Sequence, residues 1–378
     1  MQQHGAVLYD GLYVAGGAEQ VSLDLAHDLQ ADLICAARDK SLFPSAALHV
    51  PCRILSPVLL ANPALRLLHA TRVFRRNAAL LRGYDWVLFS GSSAPFAAFQ
   101  SIPARTYYYC HTPPRFVYDL REYYAEHIPV WQRPALNALR AWVKPRYEAA
   151  LDNIDTLIAN SENVRQRIRH YLGRDALVVP PPCDTEGFRW IDAGDYYLST
   201  ARLEPYKRVD VIVRSFLAMP DRKLIVASGG SDEARLRRIA GSAPNIRFIG
   251  WQSPAALREL VGRALATIYI PRDEDFGISP VESMAAGKPV IGVAEGGLLE
   301  TVRQDETGVL LPANPQSEDL ISAVLPLDGV RAASMRSACE RRAQAFSRAR
   351  FTRRIRSIIL GEEGASSVQS TSGPIGTP

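Results

Sequence analysis

Two doubly wound α/β domains are expected from three features of this chain. Strand-like and helix-like patterns alternate twice along it, a proline-rich connector Val179-Pro-Pro-Pro-Cys183 separates the two runs, and 378 residues suffice for two cores of ordinary size. Two such sheets that face each other leave an interdomain cleft at the carboxyl ends of their strands, where ligands of this fold class bind.

The first run opens on the strand pattern Ala6-Val-Leu-Tyr9, passes the glycine pair Gly16-Gly17, and continues as an amphipathic stretch from Ala18 to Leu29. β-rich segments at 32–36, 86–90, 106–110 and 156–160 bring the expected sheet to five strands. The second run restarts at Tyr196-Tyr-Leu-Ser-Thr200. Strands follow at 223–227, 246–249, 266–270 and 289–293, with helical patterns at 209–217, 233–240 and 254–264 between them. The domains are therefore placed at 1–182 and 183–342. A basic amphipathic helix at 343–360 is expected to be able to return to the first domain, and the Ser/Thr/Gly/Pro tail at 361–378 carries too little apolar content to fold.

Composition narrows the class. With 47% apolar and 22% charged residues and no long apolar run, the chain is not expected to thread a membrane. Met1 to Gly5 lacks the charged-then-apolar pattern of a secretion signal, so a cytoplasmic location is expected. Five scattered cysteines without a C-x-x-C pair read as reduced thiols, neither disulfides nor a zinc site. The net charge is +5, but residues 53–146 hold 13 Lys or Arg against four acids, so the basic surface belongs to the first half. No nucleic-acid motif accompanies that charge, and nucleic acid is not an expected partner.

The chemistry concentrates in Glu274-Asp-Phe-Gly-Ile-Ser-Pro-Val-Glu282, where a strand hands over to a helix. Ser279 reads as the helix N-cap and Pro280 as its first residue, so backbone N–H groups near Gly277, Ile278 and Ser279 would point at the turn and suit a phosphate. Ser279-Pro-Val-Glu282 also fits a capping box, in which Glu282 serves only the backbone. Asp273-Glu-Asp275 also fits a D-x-D metal motif. Arg202 and Lys207 lie in the first strand-to-helix loop of the second domain, where two cations can balance a diphosphate without a metal.

In this combination the chain resembles the retaining glycosyltransferases of family 4, whose GT-B architecture sets two Rossmann-like domains face to face. Arg202-Leu-Glu-Pro-Tyr-Lys207 is similar to the family's phosphate clamp, and Glu274 to Glu282 to its E-x7-E motif, continued by Ser283-Met-Ala-Ala-Gly-Lys-Pro-Val290 and Gly296-Gly297. The resemblance implies that the first domain binds the acceptor and the second a nucleotide sugar. Glu282 would then hold the ribose, and Glu274 would contact the transferred sugar and stabilise charge at its anomeric carbon. Phe276, Gly277, Ile278 and Ser279 would offer backbone donors, while Arg202 and Lys207 would hold the diphosphate. Gly16 and Gly17 would let backbone approach the donor, and His111 would lie beside the sugar as the second catalytic residue. No metal or other cofactor is implied. Front-face departure of the nucleoside diphosphate is the expected route to retention.

Tyr206-Lys-Arg-Val-Asp210, Glu274-Asp-Phe-Gly-Ile278 and His111-Thr-Pro-Pro-Arg-Phe-Val-Tyr-Asp119 resemble bacterial mannosyltransferases of O-antigen and exopolysaccharide synthesis, which makes GDP-mannose the expected donor and a polyprenyl-diphosphate-linked saccharide the expected acceptor. Asp232 and Glu233 are the candidates to face the base. In the helical pattern from Asn62 to Arg82, Leu67, Phe74 and Leu81 share one side, and Arg72, Arg75, Arg76 and Arg82 the other. Such a helix fits an anionic membrane surface on the cytoplasmic face of an inner membrane, or packs its apolar side on the sheet. A UDP-hexose transferase, a nucleotide-sugar epimerase or hydrolase of the same architecture, and a non-catalytic nucleotide-sugar binder are the alternatives.

Overall fold

A computed structural model describes residues 3–14, 16–44 and 49–362; residues 363–378 of the expected tail lie outside this set. The first domain is a seven-stranded, wholly parallel sheet. Its strands are β1 Gly5–Tyr9, β2 Asp32–Cys35, β3 Cys52–Ile54, β4 Trp86–Ser90, β5 Arg105–Cys110, β6 Thr156–Ala159 and β7 Leu177–Val178, in the order β3-β2-β1-β4-β5-β6-β7. Helix α1 (Gly17–Asp28) covers one face; α2 (Pro63–Asn77), α4 (Arg133–Leu151) and α5 (Glu162–Leu172) cover the other, with the short α3 (Arg121–Glu126) preceding α4. Every residue of β1 and β4 is buried, as expected of central parallel strands with helices on both faces.

The second domain repeats the plan with six parallel strands: β8 Tyr196–Ser199, β9 Lys223–Val226, β10 Ile246–Phe248, β11 Ala266–Ile268, β12 Val290–Val293 and β13 Gly308–Leu311, ordered β10-β9-β8-β11-β12-β13. Its helices are α6 Val209–Leu217, α7 Glu233–Ala240, α8 Pro254–Arg263, α9 Ile278–Ala285, α10 Leu298–Thr301, α11 Ser317–Val324 and α12 Gly329–Gln344. Both sheets reverse strand order beside their first strand, at β1/β4 and β8/β11, and such switch points open the crevice that receives ligands. Together they form the GT-B arrangement of two Rossmann-like domains.

Several local expectations are corrected. β3, β7 and β13 add to the expected strands; β3 and β7 are only two or three residues long and partly exposed, so they lack the continuous apolar run that marks a buried strand. The Asn62–Arg82 segment is not one helix: α2 stops at Asn77 and a 3-10 turn takes over from Ala78 to Gly83. Phe74 and Leu81 are buried in the first domain's core and Leu67 packs against it, so this side is not available to a lipid surface. Arg72, Arg75, Arg76 and Arg82 are exposed, with Arg75 stacked 4.1 Å from the Phe99 ring.

The basic terminal segment is likewise broken, at Ala345–Ser347, and the last helix is α13, Arg348–Leu360. It crosses to the first domain. Phe351, Ile355 and Ile359 are buried there with Val21 and Leu25 of α1, while Arg348 (2.7 Å) and Thr352 (2.5 Å) reach the Asp28 carboxylate.

Candidate functional site

Helix α9 presents its N-terminus to the cleft, two residues earlier than the sequence suggests. Gly277 is the cap, with φ +89°, a left-handed conformation that side chains disfavour. Ile278, Ser279 and Pro280 therefore occupy the first helical turn, where a proline's missing N–H costs no hydrogen bond. Ser279 is not the cap, and Glu282 sits too far along the helix for a capping box. The Phe276 side chain is buried against Phe346, 5.3 Å between rings, so only its backbone is left for a ligand. From the opposite domain, Gly16 caps α1 and Gly17 begins it; a Cβ on Gly17 would stand 2.9 Å from the Ile278 Cδ1 atom. The two helix N-termini approach across the cleft, with Gly17 against the tip of the Ile278 side chain.

Beside them, the Lys207 ammonium donates to Glu274 Oε2 at 2.5 Å and to the Tyr269 hydroxyl at 3.3 Å. Burial alone would raise the Glu274 carboxyl and lower the Lys207 ammonium, but each is outweighed by its partner, so Glu274 is held low and Lys207 high. Arg202 is exposed at the rim. It faces Glu19 of α1, whose carboxyl is raised by burial and partly drawn back by Arg202. The Glu282 carboxylate accepts no hydrogen bond among the described residues; burial, reinforced by Asp184, pushes its carboxyl up to about 7 against the pull of Arg258. A half-buried carboxylate without donors is poised to accept hydroxyl hydrogen bonds.

The acidic loop is held from the first domain, by residues the sequence reading did not single out. Three successive carbonyl oxygens accept from one helix: Asp273 from Arg167 (2.8 Å), Glu274 from Asn163 Nδ2 (2.9 Å) and Asp275 from Ser161 Oγ (2.6 Å). Ser161 also caps α5 through the N–H of Val164, and Glu300 of α10 accepts the N–H groups of Glu162 and Asn163, both at 2.7 Å. The Arg167 guanidinium pairs with the carboxylates of Asp275 and Asp273, and Arg115 lies 3.8 Å from each. This replaces the D-x-D reading: Asp273 and Asp275 face arginines, and a cation beside them would meet like charge. The pattern Ser161-Glu-Asn-Val164 was readable as a helix start, but nothing local reveals its partner across the cleft.

His111 follows β5 at the cleft end of the sheet. Its Nε2 lies 2.9 Å from Ser90 Oγ, which lies 2.9 Å from Ser22 Oγ on α1, and Asn160 donates to the His111 carbonyl. Burial pulls the imidazole down to about 4, so it is neutral at physiological pH. Asp232 and Glu233, the candidates for base recognition, are engaged on their own helix, Asp232 with Arg235 (two contacts at 2.6 Å) and Glu233 with Arg237 (2.9 Å). Both carboxylates pair with arginines of α7 that stand at the surface.

Both domains match known protein families. Residues 15–186 match the family described as Glycosyltransferase Family 4, and residues 187–342 match Glycosyl transferases group 1. A D-inositol 3-phosphate glycosyltransferase of Mycobacterium tuberculosis is 30% identical over 230 residues, which cover 53% of this chain and 47% of the relative. The chain thus matches about half the length of these curated relatives. Among solved structures, Anabaena HepE in complex with UDP and glucose superposes with a TM-score of 0.74 at 17% identity, covering 95% of this chain and all of that one. Sucrose-phosphate synthase from Thermosynechococcus elongatus gives 0.77 at 18%, covering 95% and 98%. These similarities speak to the fold. With the two family matches adjoining at residues 186 and 187 and spanning both domains around one cleft, the chain belongs to glycosyltransferase family 4.

Proposed function

We propose that the protein transfers a hexose, with retention, from a nucleoside diphosphate sugar to a saccharide acceptor. The observation that supports this most directly is the buried Lys207–Glu274 pair at the N-terminus of α9, opposite the N-terminus of α1. Lys207, Arg202 and the first N–H groups of α9 supply positive potential to a diphosphate, and no metal is needed for that balance. As Lys207 turns toward phosphate, Glu274 is left to meet the positive charge that develops at the anomeric carbon. Glu282 accepts the ribose hydroxyls. The acceptor proton passes to the leaving phosphate oxygen, the front-face route, and the acceptor approaches from the first domain.

The donor reading carried by Tyr206–Asp210 and Glu274–Ile278 is GDP-mannose, and the acceptor reading is a polyprenyl-diphosphate-linked saccharide at the cytoplasmic face of a membrane. Exposed Arg72, Arg75, Arg76 and Arg82 support attraction to anionic headgroups. No helix among the described residues is long and apolar enough to cross a membrane. A second reading, a UDP-hexose donor, is supported by the UDP-bound neighbour of similar fold.

Thermal-shift titration with GDP-mannose, UDP-glucose, UDP-galactose and UDP-N-acetylglucosamine, followed by transfer assays in the presence of EDTA, separates these readings. Stabilisation by UDP-sugars alone would remove the mannosyl assignment. Glu274→Ala is expected to lower turnover about 10²- to 10³-fold while the nucleotide still binds, and unchanged turnover would remove the role given to Glu274.

A further inference from the structure

Five non-glycine residues among those described have φ between +45° and +58°, the left-handed region that a Cβ disfavours. Three of the five, Arg208, Asp273 and Asn314, donate to one carboxylate, that of Glu295, just past β12. Its Oε1 accepts from the Arg208 guanidinium at 3.0 Å and from the Asn314 N–H at 2.6 Å, while Oε2 accepts from the Asp273 N–H at 3.0 Å. The contact is largely sealed from water, the Glu295 side chain being 15% exposed and that of Arg208 11%. Backbone in this region persists only where its surroundings over-determine it, and such strain gathers at functional sites.

The places of two of these residues in the chain give the hub its meaning. Arg208 directly follows Lys207 and Asp273 directly precedes Glu274, so Glu295 grips the neighbour of each member of the buried ion pair. The Arg272 N–H joins the same two loops by donating to the Tyr206 carbonyl at 2.8 Å. Past Glu295 the cradle continues as bare backbone. Gly297 donates its N–H to the Glu274 carbonyl at 2.8 Å, and a Cβ on Gly296 would stand 2.4 Å from that oxygen. Return of Arg208 or Asp273 to an ordinary conformation would turn the adjoining side chain out of the pair. We propose that Glu295 is a positioning residue for the reaction: through Arg208 and Asp273 it sets the separation and facing of Lys207 and Glu274. The part concerning reaction rests on the transferase reading; the hold on the two loops does not.

The hold is tested first, in the free protein, by residue-resolved amide hydrogen exchange. Glu295→Gln keeps the volume but has one acceptor oxygen for three donors, and its NH2 group is set against the rest. Exchange at the Asp273 or the Asn314 N–H is expected to quicken about tenfold or more in the folded variant, and unchanged exchange at both would overturn the proposal. With the donor found by thermal shift, Glu295→Gln is expected to lower kcat about 10- to 100-fold, because the pair is misplaced. The deciding comparison is made in Glu274→Ala. A residue that acts through the pair costs less once the pair is gone, so the same substitution is expected to cost about threefold or less there. A loss undiminished in that background would overturn the positioning role. Should Glu295→Gln not fold, Arg208→Gln makes the same comparison from the other loop. If exchange responds as expected and no nucleotide sugar is turned over, the transferase reading fails and the hold on the two loops stands.

Discussion

Glu282 and His111 are two groups held away from their ordinary ionisation by burial, and the two shifts run in opposite directions. In the proposed ribose-binding role, the Glu282 carboxyl, raised to about 7, must ionise to accept hydroxyl hydrogen bonds well, so donor binding should draw the proton off. Nucleotide-sugar affinity is expected to rise about tenfold from pH 6 to pH 8, with proton release near pH 7. Calorimetry in buffers of different ionisation enthalpy reads this release, and Glu282→Gln should abolish the dependence. His111, lowered to about 4, binds fewer protons folded than unfolded between that value and its ordinary 6.5. Stability should therefore fall as pH drops through this window, by at most about 3 kcal/mol at its lower end. Urea midpoints measured from pH 7 to pH 4 for wild type and His111→Gln give the difference, and a parallel fall in both would show that other groups dominate. These shifts arise from surroundings, which is why the sequence could nominate both residues but not their charge.

Among the elements, α5 is the one that ties the acidic loop to the opposite domain. Glu300 satisfies two of its free N–H groups from across the cleft, and a carboxylate at a helix N-terminus also meets the positive end of the dipole. Glu300→Ala is expected to cost about 1–2 kcal/mol by urea midpoint, with a further loss of turnover, because the splint that sets Glu274 through Asn163 loosens. A stability loss with full activity would separate the cap from the site. The central strands were legible because β1 and β4 are apolar without interruption, and the E-x7-E segment because its spacing survives without structure. The start of α9 was not, since Ser279-Pro280 imitates a cap and first turn while the conformation of Gly277 depends on the whole loop. The clamp by Ser161, Asn163, Arg167 and Glu300 left no local trace at all. Its partners stand more than a hundred residues apart and meet only when both sheets are in place.

At the scale of the molecule, the domains are joined twice: by the connector that follows β7 and by α13 returning to the face of α1. Cys183 of the connector donates its N–H to Phe346 at 3.0 Å, so the outgoing and returning strands of chain run together. Phe351→Ala should cost about 3–5 kcal/mol in the first domain, because the ring is almost wholly buried there. Removing residues 348–378 should split thermal unfolding into two transitions, the first domain melting earlier; calorimetry would show it, and a single unshifted transition would mean that α13 contributes little. This return has a consequence during synthesis. The first domain leaves the ribosome with its α1 flank uncovered and cannot finish its core until Ile355 and Ile359 emerge, after the entire second domain. For most of its translation the nascent chain carries an open apolar seam, and a protein arrested near its end would be a client for chaperones although both sheets are already complete.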